Sequence, residues 1–390
     1  MSSKNRRLLV AITARPSYSR IRPAIEALRD SSDISVQLVC SGSALLDRYG
    51  RVVDLIRDDG FDVAEEIYTF IEGNEPMNMA LTTANTIQHT ASALRRLSPN
   101  WVMTIADRYE TMGTAVAAAY MGIPLIHVQG GEITGNIDEK VRHAVTKLAD
   151  VHLVSTHLSG QRLHRMGESP SSVHVTGCPS IDLAREAMHI PLERVQAAIN
   201  EYGVGTHLDL RHDFIVALIH PETDSYDQSY ARMQTTLEVL ADVGMQTLVF
   251  WPNVDAGSDA ISKAIRVFRE SGRFANFHYI KNLEGHIFLR LLHQARCLIG
   301  NSSVGIRESA YIGTPVVNLG DRQFGRERGS NVLSASWRRE EIREAIRQQL
   351  SAGRYPCSTL YGDGLAGQRI AEIVCSLSRA PVKNKRFHEA

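Results

Sequence analysis

Three stretches of this 390-residue chain gather the residue types that move protons. ADRYE sets Asp107, Arg108 and Glu110 side by side, and ITARPSYSRI supplies Arg15, Ser17 and Tyr18. HVQGGEITGNIDEKVRHAVTKL holds Gln129, two glycines, Glu132 and Asp138, then Arg142 and His143. Carboxylates give and take protons in general acid–base catalysis, and arginines hold the negative charge that such reactions release. Each residue also has a plain structural reading. Asp138 alone reads as a carboxylate capping a helix start, Arg142 at i+4 as its ion-pair partner, and His143 as the i+4 partner of Glu139. Asp107 alone reads as a side chain bonding amides at a strand end. The coincidence is what argues for chemistry. Three carboxylates, two arginines and a histidine would be costly in a core, and a cleft for acid–base work explains them together.

A second constellation suits an anion. CLIGNSSVGIRESAYIG reads as a strand, a Gly-Asn-Ser-Ser turn and a helix with Gly305 near its start. The N–H groups of that helix and the hydroxyls of Ser302 and Ser303 would converge on a diphosphate. A serine-capped helix with no ligand reads equally well. Glu308, one turn along, is placed to accept from ribose hydroxyls. LIHPET and WPNVDAGS add His220 and Asn253 after two other strands, and LGDRQFGRERG adds Arg322, Arg326 and Arg328.

These segments follow apolar runs that must position them. LLVAIT, VQLVCSG, WVMTIAD, PLIHVQ, VHLVST and VHVTGC form one series; FIVALIH, QTLVFWPN, FHYI, CLIGN and PVVNLG form another. The runs are short and nearly continuous, as strands buried on both faces require, and helical segments separate most of them. The pattern predicts an α/β chain of two consecutive parallel units with right-handed crossovers. Ligands of open parallel sheets bind beyond the carboxyl ends of the strands, which places the site in a cleft that the two domains face. The last helix, LAGQRIAEIVCSLS, carries Ile370, Ile373, Val374 and Leu377 on one stripe and is expected to pack back on the first domain. The tail RAPVKNKRFHEA is expected to fray.

Composition excludes several classes. Lysine plus arginine and aspartate plus glutamate are 43 each, so there is no basic excess for nucleic acid or anionic membranes. Hydrophobic residues at 43% and charged residues at 22% are ordinary for a globular chain of two domains. Five cysteines without a CxxC pair imply reduced cytoplasmic thiols. MSSKNRRLLVAIT has too short an apolar run for a signal peptide. The uncharged stretch Thr111–Gly131 contains Pro124, His127 and Gln129, and fits a buried helix and strand better than a membrane span. GDGLAG matches GxGxxG without a preceding strand, GNSSVG is not a nucleophile elbow, and there is no Walker A sequence. The fifteen histidines show no HExxH or other metal spacing, so neither metal nor cofactor is needed.

At these residues the chain resembles the hydrolysing UDP-N-acetylglucosamine 2-epimerases, which include bacterial sialic-acid pathway enzymes and the epimerase half of a bifunctional animal enzyme. The resemblance runs nearly end to end, through DRYE, GGEITGNIDEKVRHAVTKL, TGCPSID, FWPNVDAGS, GNSSVGIRE, GTPVVNLGDRQFGRERGSNV and YGDG. It implies a glycosyltransferase-B-like pair of Rossmann-like domains: 1–182 plus 364–390 with the catalytic carboxylates, and 183–363 binding UDP. It also implies anti elimination of UDP from UDP-GlcNAc to a 2-acetamidoglucal, then hydration to N-acetylmannosamine. By position, Asp107, Glu132 and Asp138 are the carboxylates, with base and acid unassigned among them. His220 joins the catalytic set and, with Arg15, Arg322, Ser302 and Ser303, holds the diphosphate; Glu308 takes the ribose. Arg108, Gln129, Arg142, His143 and Asn253 would shape the substrate pocket. A cytoplasmic homodimer or homotetramer is implied as well.

Three departures bear on the sugar. Many relatives have a carboxylate or histidine at Gln129, a histidine at Ala44, and histidine or valine then glycine at Ile105-Ala106. Alternative readings are a modified UDP-sugar such as UDP-diacetylbacillosamine, a non-hydrolysing epimerase, a UDP-sugar glycosyltransferase, and a non-catalytic sensor. The retained Asp107, Glu132 and Asp138 speak against the sensor.

Overall fold

The apolar runs become strands of two sheets in the computed structural model, which describes residues 6–47, 50–73, 75–134, 137–252, 257–272, 275–377 and 385–389. The first series is β1 (Arg6–Ile12), α1 (Arg15–Arg29), β2 (Ile34–Ser41), α2 (Val52–Asp58), β3 (Val63–Ile67), α3 (Pro76–Leu97) and β4 (Trp101–Ile105). It continues through α4 (Tyr109–Tyr120), β5 (Leu125–Val128), α5 (Ile137–Leu148), β6 (Val151–Val154), α6 (His157–Arg165), β7 (Val173–Val175) and α7 (Pro179–Ala187). The second comprises α8 (Leu192–Tyr202), β8 (Gly203–Gly205), β9 (Phe214–Leu218), α9 (Ser229–Val243), β10 (Gln246–Phe250), α10 (Ser258–Glu270) and β11 (Phe277–Ile280). Then come α11 (Gly285–Gln294), β12 (Cys297–Gly300), α12 (Glu308–Ile312), β13 (Val316–Leu319), β14 (Val332–Ala335), α13 (Arg339–Ala352) and α14 (Ala366–Ser376). Thr111–Gly131 covers most of α4 and all of β5, and no described helix is long and apolar enough to cross a membrane.

One sheet runs β3-β2-β1-β4-β5-β6-β7, the other β14-β13-β12-β9-β10-β11-β8. Counting parallel strands from β1 in the first and β9 in the second, the first reads 3-2-1-4-5-6-7 and the second 3-2-1-4-5-6, so both carry the doubly wound order. Two Rossmann-like units therefore make up the chain, as a glycosyltransferase-B-like fold requires. The strand order reverses between β1 and β4 in one unit and between β9 and β12 in the other. Those switch points are where ligands of such sheets bind. Among the described residues, one unit contains the chain up to Glu132, Ile137–Asp182 and everything from Gly362; the other contains Leu183–Tyr361 with Ile133 and Thr134.

Three edge strands lie outside the expected series. β3 is largely half-buried and carries Glu65 and Glu66, β14 is half-buried or exposed throughout, and β8 is three residues running antiparallel to β11. Edge strands need no continuous apolar run, so they leave the weakest pattern in a sequence.

The last helix does return to the first unit. Ile370, Ala371 and Val374 of α14 join the core of β1 and α1, and Gly367 lies so close to Pro23 that a Cβ there would meet backbone at 2.6 Å. Both ends of α14 are satisfied. Asp182 accepts from the backbone N–H groups of Ala366 and Gly367 at 3.0 and 2.6 Å, while Arg6 donates to the carbonyls of Cys375 and Leu377 at 2.9 and 2.6 Å. An acidic N-terminal cap and a cation at the C-terminus are what the helix dipole favours. The Asp of TGCPSID is thereby explained without invoking chemistry.

The expectation of a frayed tail fails for residues 385–389. Lys385 Nζ donates to the carbonyls of Thr146 and Ala149 at the end of α5 and pairs with the buried Glu168 at 2.6 Å. His388 N–H bonds Gly167 O, and the Phe387 ring lies beneath Lys147 Nζ. A tail that is polar in sequence docks because it meets orphan helix carbonyls and a buried carboxylate.

Glu168 also accepts from His152 and Lys147. Burial alone would raise its carboxyl, but these donors outweigh burial and hold it down at about 2, below its ordinary 4.5. A depressed carboxyl stabilises the fold fully above about pH 4.5, and that contribution fades as pH falls toward 2. Glu168→Gln should therefore flatten the loss of stability between pH 5 and 3 in urea unfolding. An unchanged acid slope would contradict this assignment.

Candidate active site

The left-handed turn after β4 sets the first piece. Ala106 has φ of 63°, an unfavourable conformation for a residue with a Cβ, and its N–H bonds Val128 O on β5. Asp107 follows directly. Arg142, four residues along α5 from Asp138, directs Nε at 3.0 Å and also Nη2 at the same oxygen, Asp107 Oδ2. Its Nη1 donates to the backbone carbonyl of Glu132 at 2.7 Å. The i+4 spacing in the sequence pointed to Asp138; the structure bonds Arg142 to Asp107, 35 residues away.

Arg142 is 1% exposed, yet it stays charged. Burial opposes its charge, and the negative charges of Asp107, Glu132 and Asp138 overcome that opposition. All three sequence-predicted carboxylates therefore act on one guanidinium. Glu132 is buried and Asp138 sits half-buried in the first turn of α5. His143, beside them, pairs with Glu139 at 3.8 Å; burial and the adjacent Arg142 push its imidazole toward the neutral form.

The loop before Glu132 requires glycine twice. A Cβ on Gly130 would meet Thr146 Oγ1 at 2.8 Å, and Gly131 has φ of 80° with Ser159 O 2.5 Å from where a Cβ would stand. Gln129 is also left-handed, at φ of 69°. Its amide turns to Cys178 Sγ at 2.8 Å, and that sulfur lies 2.8 Å from Ser180 Oγ.

Other expected residues have different neighbours. Ser17 closes the β1–α1 turn, accepting from the N–H groups of Thr13 and Ala14, and Tyr18 is buried with its hydroxyl on Asp59, so neither side chain lines the mouth of the sheet. Arg15 opens α1 at that mouth. Arg108 makes two bonds to the buried Glu110 at the base of α4. Ala44 is buried in a tight turn after β2, whose N–H bonds Thr13 O.

In the second unit the switch point is held by an asparagine. Asn301, just past β12, accepts from His220 N–H and donates to His220 O, both at 2.8 Å. Its own carbonyl accepts from Gln323 at 2.9 Å and from Arg322 at 3.3 Å. Glu222 accepts from the N–H groups of Asp321 and Arg322 while pairing with Arg232 at 2.7 Å. His220 and Arg322 are thus gathered by two side chains to which the sequence reading gave no role. A polar residue ending an apolar strand was the available signal.

The expected helix at Ser302 is absent. Ser303–Gly305 form a single 3-10 turn, with Ser302 and Ser303 half-buried ahead of Gly305, which packs on Leu298 and Val316; the α-helix starts only at Glu308. The segment thus offers hydroxyls and turn N–H groups, not the N-terminus of a long helix. Glu308 is 9% exposed, and its Oε2 has no hydrogen-bond partner among the described residues. Asn253 lies outside the described residues.

The family model for UDP-N-acetylglucosamine 2-epimerase matches residues 26–375. The chain is 28% identical over 369 residues to a UDP-N,N'-diacetylbacillosamine 2-epimerase (hydrolyzing) of Legionella pneumophila, covering 95% of each chain. It is 26% identical over 372 residues to a UDP-N-acetylglucosamine 2-epimerase of Neisseria meningitidis serogroup B, again covering 95% of each. Among solved structures, UDP-GlcNAc 2-epimerase from Neisseria meningitidis bound to UDP-GlcNAc superposes with a TM-score of 0.80 at 18% identity, covering 95% of this chain and 100% of that one.

Proposed function

The chain belongs to the UDP-N-acetylglucosamine 2-epimerase family, and on that premise we propose that it is a hydrolysing 2-epimerase converting UDP-GlcNAc and water to N-acetylmannosamine and UDP. The observation that carries this reading is the convergence of Asp107, Glu132 and Asp138 on the buried Arg142 beside a strand-order switch point.

In the first step a carboxylate takes the C2 proton, the C1–O bond to UDP breaks, and a C1=C2 double bond forms. In the second, C2 is protonated on the opposite face and water delivers hydroxide to C1, so the sugar leaves inverted. Base and acid are drawn from Asp107, Glu132 and Asp138. His220 and Arg322, with the hydroxyls of Ser302 and Ser303, receive the charge on the departing diphosphate, and Glu308 offers an acceptor to the ribose. Arg15, Arg108, His143 and Asn253 border the substrate. Gln129 can hydrogen-bond a substrate but cannot relay a proton near neutrality, so proton transfer falls to the three carboxylates.

A second reading, a hydrolysing epimerase of a UDP-linked diacetamido sugar, is favoured by the Legionella relative and by the Gln129–Cys178–Ser180 contacts, which replace a titratable group with neutral polar ones. Incubation with each UDP-sugar in D2O, followed by NMR, tests both. Free N-acetylmannosamine deuterated at C2, with UDP, is the expected outcome. Turnover of only the diacetamido substrate selects the second reading. A UDP-linked epimer without free sugar would mean a non-hydrolysing enzyme, and C2 hydrogen retained throughout would remove the elimination mechanism.

A further inference from the structure

His127 is a buried polar side chain that the proposed chemistry leaves unused. It sits on β5, 0% exposed, beneath the loop that leads to Glu132. Its Nε2 is 2.9 Å from the carbonyl of Ala106, and its Nδ1 is 3.2 Å from Thr146 Oγ1 on α5. A carbonyl only accepts, so Nε2 carries the hydrogen; Nδ1 then accepts from the Thr146 hydroxyl. Burial, the largest influence, drives the ring's pKa down to about 3, so it is neutral at working pH and this tautomer persists.

Both of its partners carry the acid–base site. Ala106 is the left-handed residue immediately before Asp107, and Thr146 lies i+4 from Arg142 on the same face of α5. Nothing in the sequence of β4 favours φ of 63° at an alanine, so the turn must be held from outside. The imidazole meets that need, and Gly130 gives it room, since a Cβ there would stand 3.1 Å from Nδ1.

We propose that His127 is a positioning residue: its imidazole bridges the Ala106 carbonyl and the Thr146 hydroxyl, and so sets Asp107 in register with Arg142. This rests on the epimerase reading only for its kinetic consequence; the geometric claim is independent of it. His127 touches no substrate in this assignment.

The test uses the full chain with His127→Leu, His127→Gln and Thr146→Val, each examined by crystallography and by steady-state UDP release. In His127→Leu, Ala106 should leave the left-handed region and the Asp107–Arg142 pair should part. A displacement of about 1 Å at a reacting group lowers kcat about 100-fold, and KM should stay within about threefold. Glutamine can donate at one end and accept at the other, so His127→Gln should recover at least about tenfold of that loss. Thr146→Val, which keeps the volume and removes only the hydroxyl, should lower kcat about tenfold, and it keeps the proposal testable if His127→Leu does not fold. A reduced melting temperature with wild-type kcat per folded molecule, or an unmoved Asp107–Arg142 pair in the variants, overturns the proposal. If the wild-type protein releases UDP from neither UDP-sugar, the epimerase reading falls, and the crystal structures alone decide whether His127 positions Asp107.

Discussion

Asp107→Asn is expected to lower kcat by about 1,000-fold while UDP affinity changes by less than about threefold. Asparagine keeps the size of the side chain, and its carbonyl oxygen can still accept from Arg142, so the turn after β4 should persist. What disappears is the charge. Elimination needs a carboxylate that is ionised before the C2 proton leaves, or one whose charge steadies the group that receives it. On the proposed reading Asp107 takes one of these parts, with two guanidinium N–H groups on a single oxygen, Oδ2. UDP binding should be spared because the diphosphate partners assigned here, His220 and Arg322, are gathered in the other unit by Asn301 and Glu222. Steady-state release of UDP and calorimetric titration with UDP read the two effects separately. A variant with full activity would end the assignment of Asp107. A variant that loses UDP binding as steeply as turnover would make Asp107 a binding residue.

The rule that ligands gather past the carboxyl ends of parallel strands needs only the strands, and continuous apolar runs mark buried strands plainly. It therefore locates Asp107, Glu132, His220 and the Asn301–Ser303 turn from sequence. Who pairs with whom is harder. Arg142 stands 35 residues from Asp107 and four from Asp138, so helix spacing points to the nearer residue, and only the packing of α5 on α4 and β5 brings the guanidinium to the farther one as well. The same limit applies to Asn301, which clamps the backbone of a residue 81 positions away, and to Glu222, which holds a loop 99 positions away. Ser302 and Ser303 mislead in the opposite sense. A small-residue turn before an apolar stretch reads as a helix start, whereas the backbone makes one tight turn and delays the α-helix to Glu308. Ala106 and Gln129 stand out in the sequence as departures from the family pattern. That both adopt positive φ at neighbouring strand ends is a property of backbone, which residue types other than glycine do not announce.

Arg142→Leu should cost more than any other single change in this site, about 3 kcal/mol of stability together with essentially all turnover. Leucine replaces the buried alkyl stem but supplies none of the three N–H groups that meet Asp107 and the Glu132 carbonyl. It also removes a buried positive charge on which Asp107, Glu132 and Asp138 all act, so their negative charge has less to oppose it. The destabilisation then comes from what is stranded, more than from the pair that is lost. That distinction has a measurable consequence. Combining Arg142→Leu with Asp107→Asn removes one stranded charge, so the double variant should be more stable than Arg142→Leu alone by about 1–2 kcal/mol, although it carries two changes. Urea unfolding of the four proteins in this cycle gives the coupling directly. A double variant that is less stable than Arg142→Leu would show that Asp107 draws its stability from other neighbours. Arg142→Lys separates charge from shape: it keeps the cation but cannot set two N–H groups on one carboxylate oxygen and a third on the Glu132 carbonyl. Stability should then recover most of the way toward wild type while kcat stays low, because the charge balances the carboxylates but lysine lacks the planar fork that helps aim Asp107.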